Sequence, residues 1–314
     1  MSRAMGRPQR EIFGEVVTSL ADGDPRIVVV DGDVGSSTRA DIFEKAHPGR
    51  YLQMGIAEQN MIGVAAGLAT MGLVPFISTF VAFAVVRPLD QVRVLIAQTG
   101  ANVKITPSYG GLFTGQTGMS HIIVDDLAIM RAMPGMVTVV PADDIVAAQA
   151  LRWAAGYKGP CYIRLGRDAT PRIFGEDHAF AFGKAEVVRG GTDVTLISTG
   201  AQTARTLEAA ELLASSGIDA HVLHVATIKP LDVEAVVAAA ARTGRVITVE
   251  EHTVLGGLGA AVAEVLGDHR PTWIHRIGIE DCYIQSGPYD ALLDIYGLSP
   301  ARVAEQVRAI LERA

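Results

Sequence analysis

The feature that most constrains this chain is a repeated alternation between short apolar runs with no polar interruption and longer stretches of helical periodicity. Runs at 26–31 (RIVVVD), 74–79 and 103–106 are separated by helical patterns over 57–71 and 83–98, and VTVV (137–140) and CYIRL (161–165) flank a helix over 142–156. Strands that do not alternate are buried on both faces, and helices between them supply crossover connections, so the pattern predicts βα units on a buried parallel sheet. A second series follows, with strands at 193–199, 219–224, 245–250 and 272–277. Within it Val233, Val236, Val237 and Ala240 share one helix face. The last helix opens at Ser299-Pro300, an N-cap followed by proline at the first helical position, and turns Val303, Val307, Ile310 and Leu311 inward. Between the two series, Asp168 to Gly183 loses periodicity around Pro171, Phe174-Gly175 and Phe182-Gly183, which marks a linker. The expected fold class is therefore α/β, with two parallel-sheet domains at 1–170 and 184–314 joined by a linker at 171–183.

A chain of 314 residues with 49% hydrophobic and 19% charged positions has the material for two cores of ordinary size. Its net charge of -7 is spread without long like-charged runs, which argues against a nucleic-acid footprint. The two cysteines, Cys161 and Cys282, form no CxxC and have no histidine at ligand spacing, so neither a disulfide framework nor a structural zinc site is expected. With a polar, basic start and no apolar stretch of bilayer length, the expected setting is cytoplasmic, with no membrane partner.

Open parallel sheets bind ligands at the carboxyl ends of their strands, which directs attention to the loops there. DGDVGSSTR (31–39) follows the first strand; its small residues and arginine suit a phosphate held by backbone N–H groups, although taken alone the segment reads first as an ordinary helix N-cap with a solvated arginine. Glu58 opens an apolar, Gly- and Ala-rich helix. A first-turn carboxylate is commonplace, yet Gly63, Ala65, Ala66, Gly67 and Ala69 permit close approach of another backbone and place Glu58 at a buried interface, where a carboxyl is able to hold a proton for a ligand. Phe80 and Phe83, followed by Arg87, Asp90 and Arg93, form either core or a stacking wall for a planar ring. The loop SYGGLFTGQTGMSH (108–121) carries four glycines and ends at His121, the composition of a ligand loop. Gly257-x-Gly259 near the segment VEEHTVLGG is a partial dinucleotide fingerprint in which Val262 replaces the third glycine, and it is poor support for nucleotide binding.

Taken together and in order, the motifs DGDVGSSTR, GRYLQMGIAEQNMIGVAAGLA, FISTFVAF, GMSHIIVDDLAIMRAMPGMVTVVPADD and PCYIRLGRD resemble the C-terminal half of transketolase over nearly the whole chain. The resemblance implies a thiamine-diphosphate-binding pyrimidine domain followed by a transketolase C-terminal domain. It also implies a split enzyme: the GDG motif and downstream Asn that hold the diphosphate's divalent metal, expected to be magnesium, are absent, and Asp31-Gly32-Asp33 is in the wrong order and place. An N-terminal subunit would supply that site, in an α2β2 heterotetramer. Glu58 matches the glutamate that hydrogen-bonds N1′ of the aminopyrimidine, and Phe80 and Phe83 match the aromatic surface against that ring. His121 matches a histidine at the substrate's reacting end, while Arg10, Ser37 and Arg167 match positions that bind the distal phosphate of a sugar phosphate. The chain departs from the family at Tyr109, where a phosphate-binding histidine is common, at Thr117, which replaces an aspartate that reads a sugar hydroxyl, and at Ile122, which replaces a glutamine. These departures imply an altered choice of sugar.

The β subunit of a 2-oxo acid dehydrogenase shares the cofactor, the glutamate and the two-domain layout, and is the nearest alternative. A synthase of the deoxyxylulose-phosphate type usually keeps all its domains in one chain. A non-catalytic assembly subunit is opposed by the joint presence of Glu58, Phe83 and His121. His252 is open to two readings, a site residue or a structural hydrogen bond.

Overall fold

In the computed structural model, which describes residues 3–313, the apolar runs of the first series are strands: β1 (Ile27–Asp31), β2 (Tyr51–Gln53), β3 (Val74–Ser78), β4 (Lys104–Ile105), β5 (Val137–Val139) and β6 (Cys161–Ile163). The second series supplies β7 (Ala185–Arg189), β8 (Val194–Ser198), β9 (Ala220–Val225), β10 (Thr227–Lys229), β11 (Arg245–Thr253) and β12 (Trp273–Ile279). They build a seven-stranded sheet of order β10-β5-β6-β4-β3-β1-β2 and a five-stranded sheet of order β12-β11-β8-β9-β7. Every residue of β1, β3, β8 and β9 is buried, which explains why these strands read as continuous apolar runs.

Both sheets depart from the wholly parallel expectation at an edge. β7 runs antiparallel to β9, and β10, although it follows β9 in the chain, leaves the second sheet to pair antiparallel with β5 of the first. The expected helix over 83–98 is also broken. Short helices at Val81–Val85 and Leu89–Gln91 lead into a π-helical turn at Val92–Ala97. Pro88 has no N–H to donate and its ring crowds the preceding turn, so the helix stops there.

One hydrophobic core runs between the two sheets and includes Val30, Ile77, Met130, Ile197, Leu223 and Val246. A second lies under the helices Gln9–Gly23 and Asp144–Gly156, and a third under Gln202–Ala214 and Pro300–Arg313. The segment between the series is tied down. Asp143 caps its own helix by accepting from Val146 N and also accepts from Ile173 N and Phe174 N, while Phe182 stacks on Trp153 with centroids 4.3 Å apart.

The helix Glu58–Thr70 faces outward along its small residues: a Cβ built at Gly63 or Gly67 would meet nothing within 4 Å. Ile56, Met71, Val86, Leu89, Val94 and Leu95 are exposed in the segments that flank it. Among the described residues no helix is long and apolar enough to cross a membrane, and no group of three or more His, Cys, Asp or Glu is placed to hold a metal ion.

Candidate active site

The strands β6, β4, β3 and β1 are neighbours in the first sheet, so the loops at their carboxyl ends share one edge. Pairing of β3 with β4 continues past both strands, with Ser108 N donating to Thr79 O (3.0 Å) and Val81 N donating to Ser108 O (2.9 Å). This fixes Phe80 beside Tyr109, whose backbone is held in the left-handed region at φ 69°. Their rings stack with centroids 4.2 Å apart. Phe83 lies 5.7 Å from Phe80 and meets His121 edge-on at 5.1 Å.

Glu58 is in the first turn of its helix and only 4% exposed. Its Oε1 accepts from Arg87 Nη1 at 2.7 Å, and the Arg87 guanidinium lies 3.9 Å from the centre of the Phe83 ring. Glu58, Phe83, Phe80 and His121 thus form one cluster, linked by Arg87. The His121 backbone is held by Thr114 Oγ1, which donates to His121 O at 3.0 Å, and its Nδ1 is 2.9 Å from Ser120 Oγ.

Arg10, at the start of the helix Gln9–Gly23, donates from Nη1 to Tyr109 Oη (2.7 Å) and to Ser37 O (3.0 Å). Arg167, just beyond β6, places its guanidinium 5.5 Å from the Tyr109 ring centre, against 5.6 Å for Arg10. Both side chains have a buried Nε with no protein acceptor. Two guanidiniums converging on one tyrosine have the chemistry to receive an anion, with Arg167 Nη1 also 3.6 Å from Asp168 Oδ2. Ser37 takes part through its carbonyl. The 31–39 loop is no backbone phosphate cradle: Asp31 Oδ2 accepts from Val34 N, and the N–H groups of Ser37 and Thr38 donate to Val34 O. Burial pushes the Asp31 carboxyl above its ordinary range.

Thr117 is not brought into this cluster. It is exposed, its hydroxyl donates locally to Thr114 O at 2.6 Å, and among the described residues no hydrogen bond, ion pair or ring contact joins it to Arg10, Tyr109, Arg167 or His121. His252 is structural: it is fully buried, its Nδ1 donates to Thr253 O (2.8 Å) and its Nε2 accepts from Ala128 N (3.3 Å). The Gly257–Gly259 turn offers no phosphate site either, because the buried Glu250 carboxylate accepts from Leu258 N and Gly259 N, each at 2.7 Å.

Residues 7–172 match the family model for the transketolase pyrimidine binding domain, and 183–303 match that for the transketolase C-terminal domain. The chain belongs to the transketolase family. It is 41% identical over 304 residues to a 6-deoxy-6-sulfo-D-fructose transketolase subunit of Clostridium sp. (strain MSTE9), covering 97% of this chain and 94% of that one. It is 39% identical over 290 residues to an apulose-4-phosphate transketolase subunit of Phocaeicola vulgatus, with 92% and 93% covered. A solved split-gene transketolase, described as an inactive β4 tetramer, superposes with a TM-score of 0.87 at 43% identity over 97% of this chain and 98% of that one. These likenesses do not favour the 2-oxo acid dehydrogenase alternative.

Two features of this transketolase subunit escaped the sequence reading. The first is the Glu58–Arg87 pair. The second is a buried polar cluster that ties the glycine-rich loop to the second sheet: Glu251, at 6% exposure, accepts from Leu112 N (2.7 Å), Tyr289 Oη (2.7 Å) and Arg205 Nη1 (3.3 Å), while Arg164 Nη2 donates to its backbone carbonyl (3.0 Å). Burial holds the Tyr289 phenol well above its ordinary value, so it remains a donor. Gly111 is required here, since its φ is +67° and a Cβ would lie 2.3 Å from Glu251 Oε1. The run of glycines was the available signal; the partner at 251 had none.

Proposed function

We propose that this chain is the pyrimidine-binding and C-terminal subunit of a two-chain transketolase, transferring a two-carbon ketol unit between sugars that carry a distal anionic group such as phosphate. The reading rests on the cluster that joins Glu58, Phe83, Phe80 and His121 at one sheet edge. The seat fits the pyrimidine of thiamine diphosphate: a buried carboxylate and an aromatic face already accept one planar, N–H-bearing group, the Arg87 guanidinium. When bound, the cofactor supplies the electron sink for carbon–carbon bond cleavage. Glu58 would hold a proton for N1′ of the pyrimidine, and Phe80 and Phe83 would supply the aromatic face for the ring and exclude water. His121, with Nδ1 beside Ser120, directs Nε2 toward the oxygen at the substrate's reacting end and moves a proton there. Arg10 and Arg167, oriented by Tyr109 and Ser37 O, hold the distal anion.

The names of the relatives support this last assignment, since one acts on a sulfo sugar and another on a sugar phosphate. We take 1–170 as the pyrimidine-binding unit, 171–183 as the linker and 184–314 as the C-terminal unit. The diphosphate and a magnesium ion are assigned to an N-terminal partner subunit, in a cytoplasmic α2β2 assembly that uses the exposed apolar flank of the helix Glu58–Thr70. The split-gene relative, an inactive β4 tetramer, supports a chain that self-associates and needs its partner for turnover. Tyr109, Thr117 and Ile122 bear on the choice of sugar, Tyr109 through its contact with Arg10 and Thr117, which is exposed and outside the cluster, through Thr114 and the loop that carries His121. The test is a calorimetric titration of thiamine diphosphate and magnesium into this chain, alone and with the partner. Tight binding confined to the mixture is expected; tight binding by the lone chain, or none in either case, overturns the split-site reading.

A further inference from the structure

Arg87 stands in the turn that Pro88 closes, where it touches both groups assigned to the cofactor's pyrimidine. A guanidinium is planar, carries its N–H donors in its own plane and stacks its face on aromatic rings. An aminopyrimidine makes the same two demands, an edge-on hydrogen bond with a carboxylate and a face against an aromatic ring. The 2.7 Å bond to Glu58 Oε1 and the 3.9 Å approach to Phe83 meet both demands with one side chain. Phe83 is already flanked by Phe80 and His121, at 5.7 and 5.1 Å, so two planar groups cannot share its remaining face and the same carboxylate.

We propose that Arg87 is a self-ligand: in the chain without cofactor its guanidinium fills the seat of the aminopyrimidine and must swing out before thiamine diphosphate binds. The proposal rests on the assignment of Glu58 and Phe83 to the pyrimidine. The placeholder has a physical reason. A buried carboxylate left without a partner is costly, and Arg87 compensates Glu58 until the ring arrives. Exit is open, because the Arg87 side chain is 46% exposed and adjoins a solvent-facing hollow lined by Gln59, Asp90 and Arg93, where Asp90 offers another carboxylate. The cofactor's apparent affinity is then lowered by the fraction of molecules in which the seat is filled.

The test compares wild type, Arg87→Ala and Arg87→Lys in complex with the partner subunit, titrated calorimetrically with thiamine diphosphate and magnesium. Arg87→Ala is expected to bind about fivefold more tightly, the scale set by a half-exposed ion pair. Arg87→Lys, which keeps the cation and loses the planar stack, gains less. A double-mutant cycle of Arg87→Ala with Glu58→Gln, read by thermal melts, shows coupling in the chain alone and none in the cofactor-saturated complex. Unchanged or weaker binding by Arg87→Ala, or coupling that persists at saturation, overturns the proposal and leaves the Glu58 assignment standing. Failure of the wild-type complex to bind cofactor overturns that assignment and the self-ligand with it.

Discussion

Replacing Glu251 by alanine tests how the second sheet disciplines the active-site loop. The carboxylate accepts from Leu112 N, Tyr289 Oη and Arg205 Nη1, and the Arg164 and Arg205 side chains around it are only 7% and 13% exposed. Truncation leaves the Arg205 cation, the Tyr289 hydroxyl and the Leu112 N–H without this acceptor, while Arg164 keeps the backbone carbonyl at 251, and the loss of such a buried charged partner costs about 3–5 kcal/mol in comparable pairs. With an unfolding entropy of roughly 2.1 cal/mol/K per residue, a chain of 314 residues should lose about 5–8 °C in Tm. Scanning calorimetry reads this directly. Glu251→Gln, which keeps an acceptor for Leu112 and sheds the charge, should fall between wild type and alanine. The bond to Leu112 anchors the near end of the loop that ends at His121, so limited proteolysis within 112–121 should also accelerate in Glu251→Ala. A loss below about 1 °C, on the same entropy scale, with unchanged proteolysis would refute the idea that this cluster holds the loop.

Three further outcomes are expected. Glu58→Gln, in the complex with the partner, should lower kcat by about 10²–10⁴, the range of a lost proton-transfer group, while the circular dichroism spectrum stays native; near-normal turnover would remove Glu58 from the mechanism. Tyr109→Phe deprives Arg10 Nη1 of its 2.7 Å partner but leaves Ser37 O, so KM for an anionic ketose should rise about threefold to tenfold with kcat little changed, and an unmoved KM would show that Tyr109 does not orient the anion site. Burial lowers the pKa of His224 to about 3 and also depresses His221 and His275, so these rings stay neutral in the folded chain and take up protons on unfolding. For His224 the contribution is complete above the unfolded value near 6.5 and is lost as pH falls from there toward 3, at up to about 1.4 kcal/mol per pH unit; His221 and His275 act in the same direction. Urea midpoints between pH 7.5 and 4.5 should fall more steeply for wild type than for His224→Gln, and parallel curves would contradict this.

The strands that were legible in advance are those whose burial is total. β1, β3, β8 and β9 lie within a residue or two of their expected bounds, because burial on both faces leaves an unbroken apolar run as its trace. β2 and β10 are three residues each, and β7 has no fully buried position, so none carries enough pattern to stand out. Pro88 did carry a signal, the missing N–H that breaks the 83–98 helix, and apolar spacing alone overlooked it.

The site divides along a similar line. Glu58, Phe80, Phe83 and His121 could be singled out because each sits at a strand end or helix start where residue type implies a task. What they do to one another was not legible. Glu58 meets Arg87 across 29 positions, and Leu112 meets Glu251 across 139. A charged residue in sequence shows only that it needs a partner or water; which partner depends on strand order, here on β3 lying between β1 and β4 and on the second sheet closing over the loop after β4. That dependence explains why the same four residues fit both an open cofactor seat and one closed by an arginine. The spacing of the motif is identical in the two cases, and only the fold places the Arg87 guanidinium over the Phe83 ring.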